Sequence, residues 1–253
     1  MSRETSNPAG RLWALLDEGL RLPDKQPVEE GWSQLLDVGS GGRGLVLRRL
    51  GQVWSMPDQI RSLIGELADD IDTSLLLAPL PTIEQALMVP LTGNRWGSVK
   101  SALNDTVMSE LRFCAEVMHR ASPEQEVDDE QVAKLVDEVR ALIDVVLAAD
   151  LPGDLKAVLV HRLREVEETL LQVRVSGVDA IRYAVEATFG AEVLWFQSAE
   201  GNERASATPT LTKVAELAQR IYTTVVAVRT TWELGEGAWE KVRQMLELGA
   251  GDR

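Results

Sequence analysis

The chain is poor in the residues that most often carry chemistry. It has one cysteine, Cys114, and two histidines, His119 and His161. A lone thiol makes neither an internal disulfide nor a cysteine-rich zinc site, and a reducing compartment fits. Strand-forming alternation is nearly missing, which argues against sheet folds. No stretch reaches the roughly 18 uncharged apolar residues of a membrane-spanning helix; the longest contender, Ser74 to Leu91, holds three prolines and Glu84. The opening MSRETSNPAGRLW has neither the apolar core nor the cleavage pattern of a secretion signal. The expectation is a soluble, cytoplasmic protein.

Positive charge is also scarce. The 253 residues carry 26 Lys and Arg against 40 Asp and Glu, a formal net charge of -14. The excess is 16 acids over 12 bases in residues 1–120 and 24 over 14 in residues 121–253. Such a field repels phosphate backbones, so nucleic acid is an unfavoured partner.

What is present is helical periodicity. Apolar residues recur at three and four through almost every long segment, which predicts an all-α fold of roughly nine to ten helices in an irregular bundle. The stripe Trp13, Leu16, Leu20 opens the chain, and a helix is expected to begin near Pro57. TIEQ, from Thr82, reads as a capping box, and one helix is expected from Ser98 to about Arg120. Val132, Val136, Val139, Ile143 and Val146, then DLPGD, then Leu155, Leu159, Leu163, Val166 and Leu170 predict a long antiparallel hairpin in the C-terminal half. A short helix is expected to close at Gly190, a polar loop to follow over SAEGNERASAT, and a last long helix to start at Thr208 and Pro209. SPEQ, Ser122 to Gln125, marks a further helix start. A seam at Ser122 to Glu130 would divide the chain into helical subdomains at 9–120 and 121–250; the alternative is one continuous domain.

Gly39, Gly41 and Gly44 match G-x-G-x-x-G, the fingerprint of a dinucleotide-binding turn. That chemistry needs a preceding strand, and GWSQLLDV lacks a β-branched run. The glycines therefore read as a connection between helices, and no cofactor is expected. Arg43, Arg48 and Arg49 close behind them form a candidate anion or partner contact. Glu116 and His119 give the E-x-x-H spacing of di-iron bundles, but a second copy is missing, so no metal is expected. His161 and Glu165, one turn apart, read as a solvated helix face, and Cys114 as a small core residue. No catalytic residue is assigned.

Seven tryptophans stand against three phenylalanines and two tyrosines. Trp13, Trp54, Trp96, Trp195, Trp232 and Trp239 fall near segment ends, where a ring covers a core while its N–H reaches a carbonyl. The adjacent pair Trp195 and Phe196, in VLWFQ, is the exception and a candidate partner surface.

The stretch LPGDLKAVLVHRLREVEETLLQVRVSGVDAIRYAVEATFGA, residues 151–191, is marked by Leu151, Pro152, Leu155, Leu163, Leu170, Gly177, Ile181, Ala184 and Gly190. It resembles a segment of uncharacterised all-helical proteins of bacterial chromosomes and mobile elements. The resemblance implies an accessory role in bacterial defence or mobile-element biology and brings no activity or site residue. Together these features point to a non-catalytic interaction or scaffold protein with a protein partner or self-association. The alternatives are an enzyme or a nucleotide- or anion-binding effector with a dispersed site, and membrane association through Ala191 to Gln197 or the helix from Pro209.

Overall fold

A computed structural model describes residues 7–39, 41–67, 72–121 and 128–226. They form an all-α protein of two compact units, and no strand occurs among the described residues. Residues 7–121 belong to the first unit together with Arg174–Gly177, and the rest of 128–226 to the second. The SPEQ segment, Trp232 and Trp239 lie outside the described residues.

The first unit begins with α1 (Pro8–Leu20), capped by Asn7, whose side chain accepts a hydrogen bond from the Gly10 amide at 3.0 Å. Next come α2 (Val28–Leu35), α3 (Gly42–Gly65), α4 (Thr73–Leu77), α5 (Leu80–Leu87), α6 (Trp96–Lys100) and α7 (Asp105–Ala121). Helix α1 packs against both α7 and α3, burying Leu12 and Leu16 completely. Trp32 and Trp96 meet edge to face at 5.2 Å in the same core, and the Trp96 indole donates to Gly19 O at 2.6 Å. Main-chain bonds from Val28 to Asn94 and from Trp96 to Gln26 clip the α1–α2 loop to the segment before α6.

Three boundaries in the first unit differ from the periodicity reading. Pro57 does not begin a helix but lies inside α3. It is buried with Val53, Met56 and Ile60, so one packed face outweighs the roughly 3 kcal/mol cost of an interior proline. Helix α5 starts at Leu80, two residues ahead of Thr82, with Pro81 in its first turn, where the missing amide costs nothing. The helix expected from Ser98 is divided at Ser101–Asn104, and the Asn104 side chain accepts from the Val107 amide at 3.0 Å to start α7.

The second unit is built on the expected hairpin of α8 (Asp129–Ala148) and α9 (Gly153–Leu171). Its seam buries Val139, Val146, Leu155, Leu159 and Leu170, and Arg140 bridges to Glu167 at 2.6 Å on the outside. Helix α10 (Val173–Ser198) bends at Gly177, whose φ of 73° is left-handed. It continues through Gly190 rather than closing there. The stripe Ile181, Val185, Phe189 and Phe196 is buried on both sides of that glycine, and burying Phe196 is worth more than the roughly 1 kcal/mol an interior glycine costs. Helix α11 (Gly201–Ile221) starts seven residues before Thr208, because Glu200 and Glu203 form a reciprocal capping box. The polar stretch expected as a loop is therefore mostly helix, with Pro209 inside it. A π-helical turn, Tyr222–Val226, follows.

Candidate functional site

The glycine stretch connects α2 to α3. Gly39 and Gly42 have φ values of 54° and 73°, so their glycine character serves the turn itself. An open cleft of about 500 Å³ lies there, lined by Gly39, Gly42, Arg43, Glu29, Glu30 and Leu91 among others. Arg43 already faces Glu29 at 3.5 Å, and Glu30 adds a second carboxylate, so the cleft's own charge does not favour an anion.

The three arginines part company in the fold. Arg43 and Arg48 are exposed, whereas Arg49 is buried. Its Nη1 donates to Leu36 O at 2.6 Å and Asp37 O at 2.9 Å, satisfying carbonyls at the end of α2. Arg49 is thus an internal clamp and not the surface contact expected. A similar correction applies in the second unit. Phe196 is buried in the core with Arg204 over its ring at 5.4 Å, and Trp195 is half-buried against the same core. The exposed neighbour is Leu194.

The groups weighed for catalysis or metal binding are spread out. Among the described residues no three of His, Cys, Asp and Glu are grouped to hold a metal ion. Glu116 pairs with Arg120 at 2.8 Å. His161 and Arg162 both face Glu165, at 3.3 and 2.7 Å, on an open helix face. Burial pushes the Cys114 thiol up to about 12, the opposite of an activated nucleophile.

A more concentrated surface lies on α1 and α7. Trp13, Arg112, Phe113, Glu116 and Arg120 line an open groove of about 490 Å³. The Arg112 guanidinium stands 5.1 Å over the Trp13 ring, a cation–π contact that holds both side chains. Phe113 is 57% exposed, although Leu111 and Cys114 on either side are fully buried. The backbone beneath is fixed, since Asn7 donates to Ala115 O at 2.9 Å. Tryptophan and arginine are the residue types that dominate interface energetics. The sequence signal was Phe113 lying off the stripe Leu111, Ala115, Met118, but Trp13, which lines the groove with it, is supplied by another helix.

The second unit holds one more unusual group. Glu192 on α10 is only 3% exposed, and neither carboxylate oxygen has a hydrogen-bond partner. Burial holds its carboxyl well above the usual range. The helix expected from the sequence, closing at Gly190 with Phe196 at a partner surface, does not place Glu192 on a buried stripe; the continuous α10 does.

Fold and groove together define an all-α protein with an open surface site of mixed aromatic and cationic character. Comparison with protein-family models, curated proteins and solved structures finds no match for the chain.

Proposed function

We propose that the protein is a non-catalytic helical interaction module, and that the groove between α1 and α7 takes a protein segment combining apolar and acidic side chains. The observation that carries this reading is Phe113, held 57% exposed beside the Trp13–Arg112 pair. Its ring offers apolar area at little entropic cost, and Arg112 and Arg120 outnumber Glu116 in the groove. The resemblance expected for residues 151–191 directs the search for the partner to components of bacterial defence or mobile elements. A cytoplasmic location is part of the proposal, supported by the lone buried thiol; among the described residues no helix is long and apolar enough to cross a membrane.

The test is a photo-crosslinking residue placed at position 113 in the producing cell, with one at exposed Leu171 of the second unit as control. A discrete adduct from position 113, lost when Arg112 and Arg120 are changed to glutamate, supports the reading. Equal labelling at both positions overturns it.

A further inference from the structure

The outer side of α3 carries five residues in line. Arg43, Leu47, Gly51, Trp54 and Asp58 are spaced by four, four, three and four, which keeps them on one side of a helix over about 22 Å. All five are exposed, Leu47 at 44% and Trp54 at 41%. The Trp54 indole is held by donating to Leu87 O at 3.0 Å, which brings the end of α5, where Met88 is 70% exposed, up to the ring. A Cβ at Gly51 would meet nothing within 4 Å, so the glycine leaves a notch between Leu47 and Trp54.

The order along this stripe is cation, apolar, notch, aromatic, anion. It is self-complementary. If a second copy of α3 lies antiparallel across the first, with the two-fold axis midway between Leu50 and Gly51, Leu47 of each copy faces Trp54 of the other. The same register sets Arg43 of each copy opposite Asp58 of the other. Two independent pairings, one apolar and one charged, thus share one axis, and the notch lies at the crossing where the backbones must come closest. A two-fold interface requires such a patch, because both copies present the same surface.

The in-chain partners of the two charges permit the exchange. Arg43 meets Glu29 only at 3.5 Å, and Arg61, which now holds Asp58 at 2.9 Å, keeps a shorter bond to Glu84 at 2.6 Å. From this geometry we infer that the protein self-associates through α3 as an antiparallel two-fold dimer, with Leu47 and Trp54 at its centre and Arg43–Asp58 pairs at both ends. This surface is distinct from the α1–α7 groove, so either proposal stands or falls without the other. A contact of about four helical turns is at the low end of specific interfaces, below about 1,200 Å² in total. A dimer of this size is expected to dissociate on dilution, which the concentration series below reads directly.

Sedimentation equilibrium of the full chain, over a concentration series, tests this with a charge exchange. Arg43→Asp and Asp58→Arg each set like charges at both ends and should weaken the dimer about tenfold. The double variant restores opposite charges across the axis and should recover the wild-type constant to within about threefold. Gly51→Cys supplies a second reading, since its thiols lie next to the axis and should form an intermolecular disulfide on mild oxidation, while Cys114 is buried. The inference is overturned if the wild type stays monomeric up to several hundred micromolar. It is equally overturned if a dimer forms that ignores the single charge reversals, or if the double variant fails to recover it.

Discussion

Trp96 rests on the bare Cα of Gly31. A Cβ built there would lie 2.3 Å from the indole Cε3, closer than any real contact allows. Because the same ring donates to Gly19 O and meets Trp32 edge to face, it has no room to retreat. Gly31→Ala should therefore destabilise the first unit by about 1–3 kcal/mol, as overpacking does elsewhere. Gly44→Ala is the control: it is helical, meets nothing within 4 Å, and should be neutral to stabilising by up to about 1 kcal/mol. Urea unfolding followed by circular dichroism measures both.

Arg49 and Arg48 should separate by the same measurement. Arg49→Met keeps much of the aliphatic stem but removes the donor to Leu36 O and Asp37 O. Losing charge-assisted bonds to buried carbonyls should cost about 2–3 kcal/mol. Arg48→Met, one residue away on the exposed side, should change stability by less than about 0.5 kcal/mol. Equal effects would show that the clamp on α2 contributes nothing.

This pair also shows how far the fold could be read from the chain. Val46, Leu50, Val53 and Ile60 fix the phase of α3, and that phase places Arg49 inward and Arg48 outward, so the distinction was available once the helix was read as continuous. Leu47 and Trp54, apolar yet exposed, blurred that phase. The α8–α9 hairpin was legible because two clean stripes flank DLPGD. Gly190 and Pro209 misled for a common reason: local propensity costs about 1–3 kcal/mol, and buried neighbours such as Phe189, Phe196 and Leu211 outweigh it. The groove was the least legible feature, since Trp13 and Phe113 are 100 residues apart and only the packing of α1 on α7 joins them.

Glu192 should make the second unit lose stability as pH rises from the acid range. Its folded-state carboxyl is held above the ordinary value of 4.5 by burial. The folded state therefore binds the proton more tightly than the unfolded chain, and stability falls as pH rises above about 4.5, by at most about 1.4 kcal/mol per pH unit, until the folded group also ionises. Among the described residues of the unit no buried cation offsets this, for the other buried polar side chains there are Gln172, Thr188 and Thr210. Arg204, from α11, is spent on the Phe196 ring and Gln197 O, and Arg182 of α10 itself pairs with Asp179 and Glu186. Glu192→Gln should match the wild type near pH 4 and exceed it in stability by pH 8. Denaturant melts of both proteins across that range give the comparison, and parallel curves would show that Glu192 ionises as readily folded as unfolded, so that burial does not raise its carboxyl.

Cys114 offers a chemical readout of the first unit's integrity. Its thiol is fully buried, lies 3.8 Å from the Met118 sulfur and is pushed up to about 12, so at pH 8 almost none is thiolate. Alkylation needs both exposure and ionisation, and the folded protein supplies neither. Iodoacetamide at pH 8 should leave the native chain unmodified over hours and add one group rapidly in urea, with mass spectrometry as the readout. In Gly31→Ala the native-condition rate should rise in proportion to the population of opened molecules, about fivefold to 150-fold for a loss of 1–3 kcal/mol. Rapid labelling of the wild type under native conditions would mean that α7 does not bury the thiol in solution.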